Sequence, residues 1–410
     1  MESWSFNRCP LTAAKMGVSL MPAMSIIPIT DTDTLAAFCE RQRGTPYVTV
    51  DTEFMREKTY WPILCLIQIG GPDEAVIVDA MAPDLDLAPL HDLMRDQSIL
   101  KVFHAARQDL EIFYYKMGDL PKPIFDTQLA AMVCGFGDQI GYEPMVAKIL
   151  GVRADKQSRF SDWSRRPLTD QQLNYALGDV THLRLAYESL ANQLQENGRS
   201  HWLDEEMAVL SSTETYAAEP ANAWKRIKSR NVESKFLSVL QAVAAWRERE
   251  AQRRDLPRNR VARDDTLLDL AGRAPKSMDD LARTRGLSSG FAKGKSGDVL
   301  LSAIAEGRAL PKDQAPVKEL KPPLPPGIGP LTELLKVMLK QCSERSGVAS
   351  RLIASVSDLE QVAADDNADV RTLKGWRREM FGEQALALKR GELAITVENN
   401  AIRLLPQTPK

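Results

Sequence analysis

The stretch Tyr47–Phe54, Y-V-T-V-D-T-E-F, limits what this chain can fold into more than any other. Val48 and Val50 alternate with small or polar neighbours in the period of a β-strand, and residues two apart on a strand share a face. That period carries Asp51 and Glu53 onto one face where the strand continues inward. Two carboxylates side by side at a buried strand end repel, and one is driven protonated unless a cation sits between them. Their hard oxygens suit Mg²⁺ or Mn²⁺. A D-x-E standing alone more often marks a strand running out into a solvated loop, so the choice rests on residues further along the chain.

Around this strand the pattern alternates between the two regular periods. Asp31–Arg43 reads as an amphipathic helix with Leu35, Phe38 and Cys39 on one face. Beyond a charged loop at Met55–Tyr60, Ile63–Ile69 and Ala75–Val78 read as strands divided by the turn Gly70-Gly71-Pro72-Asp73. Helical period at Leu87–Met94, a strand at Leu100–Phe103, a helix from about Ala105 to Met117 and a short strand at Ile124–Phe125 come next. A meander of three strands, then strands interleaved with helices, predicts a mixed α/β sheet of the ribonuclease H type.

Three further acids and a phenol fall at telling places. Asp109 lies one step aside from the apolar line Leu110, Phe113, Met117, on a helix delivered by the strand that ends at His104. His104 itself reads as a helix-start histidine, and Asp126 as a strand-end or helix-cap residue. Thr169 is a plausible N-cap before an apolar-periodic run through Leu173, Leu177 and Leu183. Tyr175 and Asp179, four apart on that helix, share a face.

Asp51 and Glu53 in V-D-T-E-F, Asp109 in H-A-A-R-Q-D-L, and Tyr175 and Asp179 in Y-A-L-G-D, in this order and at these separations, resemble the three motifs of the DEDD exonuclease superfamily, in its tyrosine branch. F-D-T at Phe125–Thr127 and S-D-W-S-R-R-P-L before the third motif are similar to the bacterial ribonuclease D family in particular. The likeness covers roughly residues 26–210. It implies two-metal phosphodiester hydrolysis from an RNA 3′ end, with two divalent cations, Mg²⁺ or Mn²⁺. It also implies roles: Asp51 bridging both ions, Glu53 and Asp179 completing the first, Asp109 holding the second, and Tyr175 orienting the attacking water. Lys156, Trp163, Arg165 and Arg166, just ahead of the third motif, are candidates to grip the terminal nucleotides by phosphate contact and stacking. Equally, Trp163 would pack under the loop and the arginines would form surface ion pairs.

From Trp224 the composition turns basic through Lys225, Arg226, Lys228, Arg230, Lys235, Arg247, Arg249, Arg253, Arg254, Arg258, Arg260 and Arg263, while Leu237, Leu240, Val243, Ala244 and Trp246 keep helical period. A tether rich in proline, Pro311 to Pro330, precedes a second helical run at Leu331–Gln341, Val356–Ala363, Leu373–Phe381 and Glu383–Arg390. Shared element order hints at a diverged repeat. Both runs resemble helicase-and-RNase-D C-terminal (HRDC) domains, the first more clearly. The expected organisation is therefore an N-terminal extension at 1–25, an exonuclease domain at 26–215, two small all-α HRDC domains at 221–308 and 331–400, and a linker at 309–330.

A chain of 410 residues, 44% of them hydrophobic, has material for two or three packed cores. Its net charge of −2 hides the local basic run. Five scattered cysteines without a C-x-x-C pair argue against a disulfide framework or zinc site. No run approaches the ~20 apolar residues that span a bilayer, and the first two dozen residues make a poor signal peptide. The expected setting is the cytoplasm, with no membrane and no small-molecule organic cofactor. Met16, Met21 or Met24 is the expected true start. The family implies RNA as partner, such as precursor tRNA 3′ ends. The alternatives are a 3′-to-5′ exodeoxyribonuclease and a non-catalytic RNA-binding protein on a nuclease fold.

Overall fold

A five-stranded mixed sheet organises the N-terminal half. The computed structural model describes residues 26–152, 158, 161–318 and 324–407; the expected N-terminal extension, Lys156 and part of the proline-rich tether lie outside them. The chain enters through helix α1 (Thr32–Gln42), whose N-cap Asp31 accepts from the Thr34 amide at 2.8 Å. Strands β1 (Tyr47–Met55), β2 (Ile63–Gly70) and β3 (Ala75–Asp79) form an antiparallel meander. Helix α2 (Ala88–Arg95), strand β4 (Leu100–Phe103), helix α3 (Arg107–Met117) and strand β5 (Ile124–Asp126) come after it. Both β4 and β5 run parallel to β1, giving the order β3-β2-β1-β4-β5. Helices α4 (Thr127–Val133), α5 (Tyr142–Leu150), the 27-residue α6 (Asp170–Glu196) and α7 (Asp204–Leu210) complete this half. The mixed ribonuclease H-like sheet is as the sequence predicts.

Strand period assigns the two faces. Val48, Val50, Ile67, Ile69 and Val78 are buried with Leu35, Phe38, Leu90, Leu110 and Phe113 of α1–α3. Across the sheet α6 is laid down, with Leu66 and Ile77 meeting Leu173 and Ala176, and Tyr47, Val102 and Phe125 meeting Leu183, Ala186 and Leu190. A Thr169–Gln172 capping box starts α6, satisfying amides the first turn leaves without partners. The helix presses close to the sheet: a Cβ on Gly70 would lie 2.5 Å from Thr49 Oγ1 and 3.3 Å from the Val180 carbonyl. Strand β1 outruns β4. Only Tyr47–Thr49 pair with β4, so from Asp51 onward that edge of β1 is open and the space beside it becomes a cleft.

Two helical units complete the chain. The first comprises α8 (Ser234–Arg254), α9 (Arg258–Val261), α10 (Asp264–Arg273), α11 (Met278–Ala282), α12 (Ser289–Ala292) and α13 (Lys295–Ala309). Its own core holds Leu237, Leu240, Val243, Trp246, Leu267, Leu300 and Ile304. The second comprises α14 (Gly329–Ser346), α15 (Ser350–Ile353), α16 (Val356–Ala364), α17 (Gly375–Arg377) and α18 (Glu383–Lys389). The units repeat a local device: a four-residue helix, then an extended alanine (Ala262 at φ −160°, ψ 140°; Ala354 at φ −153°, ψ 141°), then an extended N-cap. The second unit has no separate core. Leu335, Met338, Ile353 and Phe381 share one cluster with Ala130, Met132, Leu190 and Leu194 of the sheet domain.

One expectation fails. The second unit is not all helical, because strands β6 (Leu393–Glu398) and β7 (Ala401–Pro406) form a hairpin turned by Asn399 (φ 50°) and Asn400 (φ 62°). Asparagine tolerates the left-handed conformation that a two-residue hairpin turn requires. The alternation Ile395, Val397 and Ile402, Leu404 around Asn-Asn was the available signal. Among the described residues no helix is long and apolar enough to cross a membrane, and Cys39, Cys65, Cys134 and Cys342 are buried free thiols.

Candidate active site

The open edge of β1 forms one wall of a cleft of about 930 Å³. Asp51 and Glu53 project into it from the face of β1 that α6 covers, and Asp179 reaches it from α6. One carboxylate oxygen from each lies within 4.8 Å of the others, a spacing suited to a shared cation. Asp109 comes to the end of β1 on α3 and is buried; its Oδ1 accepts the hydroxyl of Thr52, whose side chain points away from Asp51 across the strand. Asp109 thus stands beside the triple rather than within it.

Without a counter-ion this cluster is under electrostatic stress. Burial pushes the Asp51 carboxyl up to about 6, against the Thr52 backbone N–H that favours its charged form. Burial, and then the Asp51 charge, hold Asp109 and Asp179 well above the usual carboxylate range. Tyr175, one turn before Asp179, is hydrogen-bonded to it. Burial and the surrounding carboxylates drive its phenol far upward, so it remains a proton donor.

The four candidates ahead of α6 separate. Lys156 lies outside the described residues. Trp163, proposed from sequence as a stacking surface, is instead 2% exposed, packed with Cys65, Leu66, Leu173 and Ala176, its ring 5.9 Å from that of Tyr175. Its large apolar area is worth more under the loop than in water. Arg166, proposed as a phosphate ligand, spends its guanidinium inside the protein. It forks Asp79 at 2.6 and 2.5 Å and donates to the Trp163, Arg165 and Cys65 carbonyls at 2.7, 2.8 and 3.2 Å. All five of its N–H donors are thereby used. Of the three described candidates only Arg165 keeps its side chain outside, 84% exposed and 3.2 Å from Asp162.

Sequence reasoning passed over Tyr142 and Gln68, which shape the site, and read His104 only as a helix-start residue. Tyr142 of α5 donates to the carbonyls of Gly178 and Asp179 at 3.0 and 2.7 Å, holding α6 in place where it bears Asp179. His104, in the cleft wall, meets Thr127 Oγ1 through Nδ1 at 3.0 Å while that hydroxyl donates to the Phe103 carbonyl, so Nδ1 carries the proton. Burial lowers its pKa, opposed by the Asp126 charge and by a hydrogen bond to the Ile140 backbone. Gln68 pairs with Asp51 across β1 and β2, shares its face, and is fully buried with both amide atoms unpartnered among the described residues. None of these pairings has a sequence signature, since each partner is remote in the chain. Asp126, by contrast, is the cap expected of it, accepting from Gln128, Ala105 and Ala106.

A mixed sheet with acids at the end of its first strand, joined by a tyrosine and an aspartate one helical turn apart, defines a 3′-to-5′ exonuclease of the DEDD type. The family model for the 3′-5′ exonuclease domain matches residues 26–195, and that for the HRDC domain matches residues 236–304. A ribonuclease D of Granulibacter bethesdensis is 49% identical over 380 residues, 92% of this chain and 96% of the relative. One of Nitrobacter hamburgensis is 51% identical over 375 residues, 91% of this chain and 98% of the relative. The crystal structure of Escherichia coli RNase D, an exoribonuclease involved in structured RNA processing, superposes with a TM-score of 0.76 at 31% identity, covering 89% of this chain and 98% of that one. The chain belongs to the ribonuclease D family of 3′-to-5′ exoribonucleases.

Proposed function

We propose that this chain trims RNA 3′ ends one nucleotide at a time, releasing nucleoside 5′-monophosphates, with precursor tRNA 3′ ends as its substrate class. The observation that carries the reading is the convergence of Asp51, Glu53 and Asp179 to within 4.8 Å, with Tyr175 and Asp109 adjoining. The residues fit a divalent pair: the donors are all hard oxygens, the carboxyls are raised by burial and mutual repulsion, and Gln68 holds an unpaired amide on the same face. In this assignment Asp51, Glu53 and Asp179 would hold one Mg²⁺ or Mn²⁺ ion, and Asp51 with Asp109 would hold a second. Such ions would lower the pKa of the attacking water and offset charge developing on the leaving 3′-oxygen.

The protein's own groups then set direction. Tyr175, kept protonated, would turn its single O–H from Asp179 to the attacking water and orient it in line with the scissile phosphorus. Tyr142 keeps Asp179 from drifting by fixing the backbone that bears it. Arg165 is exposed beside Asp162, which lines the cleft, and is the described cation ahead of α6 that could meet a phosphate. The test is a time course on 5′-labelled RNA and on the matching DNA with Mg²⁺, Mn²⁺ or EDTA. A metal-dependent ladder shortening from the 3′ end, faster on RNA, is expected. Faster shortening of DNA would make the chain an exodeoxyribonuclease, and binding without a ladder would make it an RNA-binding protein.

A further inference from the structure

Where the first helical unit meets the sheet domain there is a second cleft, of about 430 Å³, with four arginines in its wall: Arg56, Arg226, Arg247 and Arg258. Two carboxylates, Glu248 and Asp264, share that wall. Arg56 is forked by Glu111 at 2.6 and 2.8 Å, so the cations facing the two carboxylates are Arg226, Arg247 and Arg258. The cleft is also built. Arg258 forks Glu248 at 2.7 and 2.6 Å and lies 4.6 Å over the Tyr60 ring, while Tyr60 donates to Glu248 at 2.5 Å. Asp255, at the end of α8, accepts the Tyr60 and Trp61 amides at 2.9 and 3.0 Å, fixing the β1–β2 loop to the helical unit. The cleft is therefore set in one geometry before anything enters it.

Two guanidiniums are not fully used by this network. Arg247, 3% exposed, gives Nη1 to Asp264 and the Ala262 carbonyl at 2.6 and 3.1 Å, but its buried Nε has no partner among the described residues. Arg226 is 58% exposed and approaches Glu248 only to 3.7 Å. Guanidinium donors held at the edge of a cavity match phosphate oxygens in charge and geometry. Position identifies which phosphate. The cleft shares Arg56 and Thr59 with the cleft that holds Asp51 and Glu53, so the two lie side by side.

We propose that this interdomain cleft binds the phosphodiester backbone of the RNA several nucleotides upstream of the 3′ end being cut. The inference rests on the exonuclease reading, since it takes the RNA terminus to lie at Asp51. It makes the first helical unit part of the substrate path through a cleft it builds with the β1–β2 loop, independent of its outer basic face.

The test is Arg226→Glu in the full-length chain, with Arg226→Lys as the charge-conserving control. Binding of 5′-fluorescein RNAs from two to about ten nucleotides is measured by anisotropy in EDTA across a salt series. The longest RNAs should bind the glutamate variant ~10-fold more weakly, with a log–log salt slope shallower by about 1, and the lysine variant near wild type. Hydrolysis of a dinucleotide with Mg²⁺ should be unchanged in both. Equal affinity of wild type and Arg226→Glu at every length, or an equal loss on dinucleotide and long RNA, overturns the cleft assignment. A wild-type chain that binds long RNA through Arg226 but, with Mg²⁺ or Mn²⁺, shortens neither that RNA nor the dinucleotide overturns the exonuclease reading and leaves the cleft standing.

Discussion

At the scale of single residues, the site is a set of acids kept in an unfavourable state until a cation arrives. Asp51 is held at about 6 against an ordinary 3.8, and burial and the Asp51 charge raise Asp109 and Asp179 well above the ordinary value too. A folded-state pKa above the unfolded value means these groups favour folding below about pH 4, a contribution lost as pH rises through about 6 and beyond. The metal-free protein should therefore lose melting temperature as pH rises across that window. Asp51→Asn should flatten the profile, abolish hydrolysis and leave RNA binding largely intact; a profile unchanged by the substitution would contradict this electrostatic stress. Mg²⁺ or Mn²⁺ at neutral pH should raise the melting temperature of wild type more than that of the variant. Tyr175→Phe keeps the ring against Trp163 and removes only the hydroxyl, so turnover should fall ~10²-fold with little change in stability. Unchanged turnover would make the tyrosine a packing residue.

At the scale of elements, the segment before α6 is organised from within. Arg166 ties it to the end of β3 through Asp79, and Trp163 anchors it on Leu66 and Ala176. Residues that looked suited to gripping nucleic acid instead hold the loop that shapes the cleft. Arg166→Ala strands Asp79, which is 8% exposed, beside unsatisfied carbonyls. A loss of about 3 kcal/mol in denaturant unfolding is expected, as for a buried pair broken on one side. A loss near zero would mean that Asp79 finds water and that the clamp contributes nothing. Helix α6 shows the complementary case, since its capping box, apolar stripe and Tyr175–Asp179 pair were all legible before any contact was known.

At the scale of the molecule, the two helical units relate to the sheet domain differently. The first keeps its own core and touches the sheet domain through the polar network around Tyr60, Glu248 and Arg258. The second merges with it: Trp202 and Trp376 stack at 4.4 Å and 5°, the buried Arg377 pairs with Glu205 and with Glu206 (3.0 Å), and the Ala349 amide donates to Met132 at 2.8 Å. Truncating Trp376 to alanine should cost about 2 kcal/mol of global stability, read as a shift in urea midpoint, while dinucleotide hydrolysis stays near wild type. A midpoint that does not move would mean the second unit is only loosely attached.

The sequence alone determined what depends on local period and chain order: the meander, the parallel strands, the cap at Thr169, and the placing of Asp51, Glu53, Tyr175 and Asp179 on faces that can meet. Those features rest on interactions within a few residues or on alternation along one strand, which the order of amino acids encodes directly. Tertiary structure alone decided which cations are free. Arg165 and Arg166 are neighbours of the same type, yet one is solvated and the other surrounded, because Asp79 and the Cys65 carbonyl reach only the second. Likewise, Gln68 acquires its place beside Asp51 through strand register, and the arginines of the interdomain cleft acquire a common cavity only when the β1–β2 loop docks on α8. Electrostatic and hydrogen-bonding partners are set by distance in space, and no pattern along the chain specifies that distance.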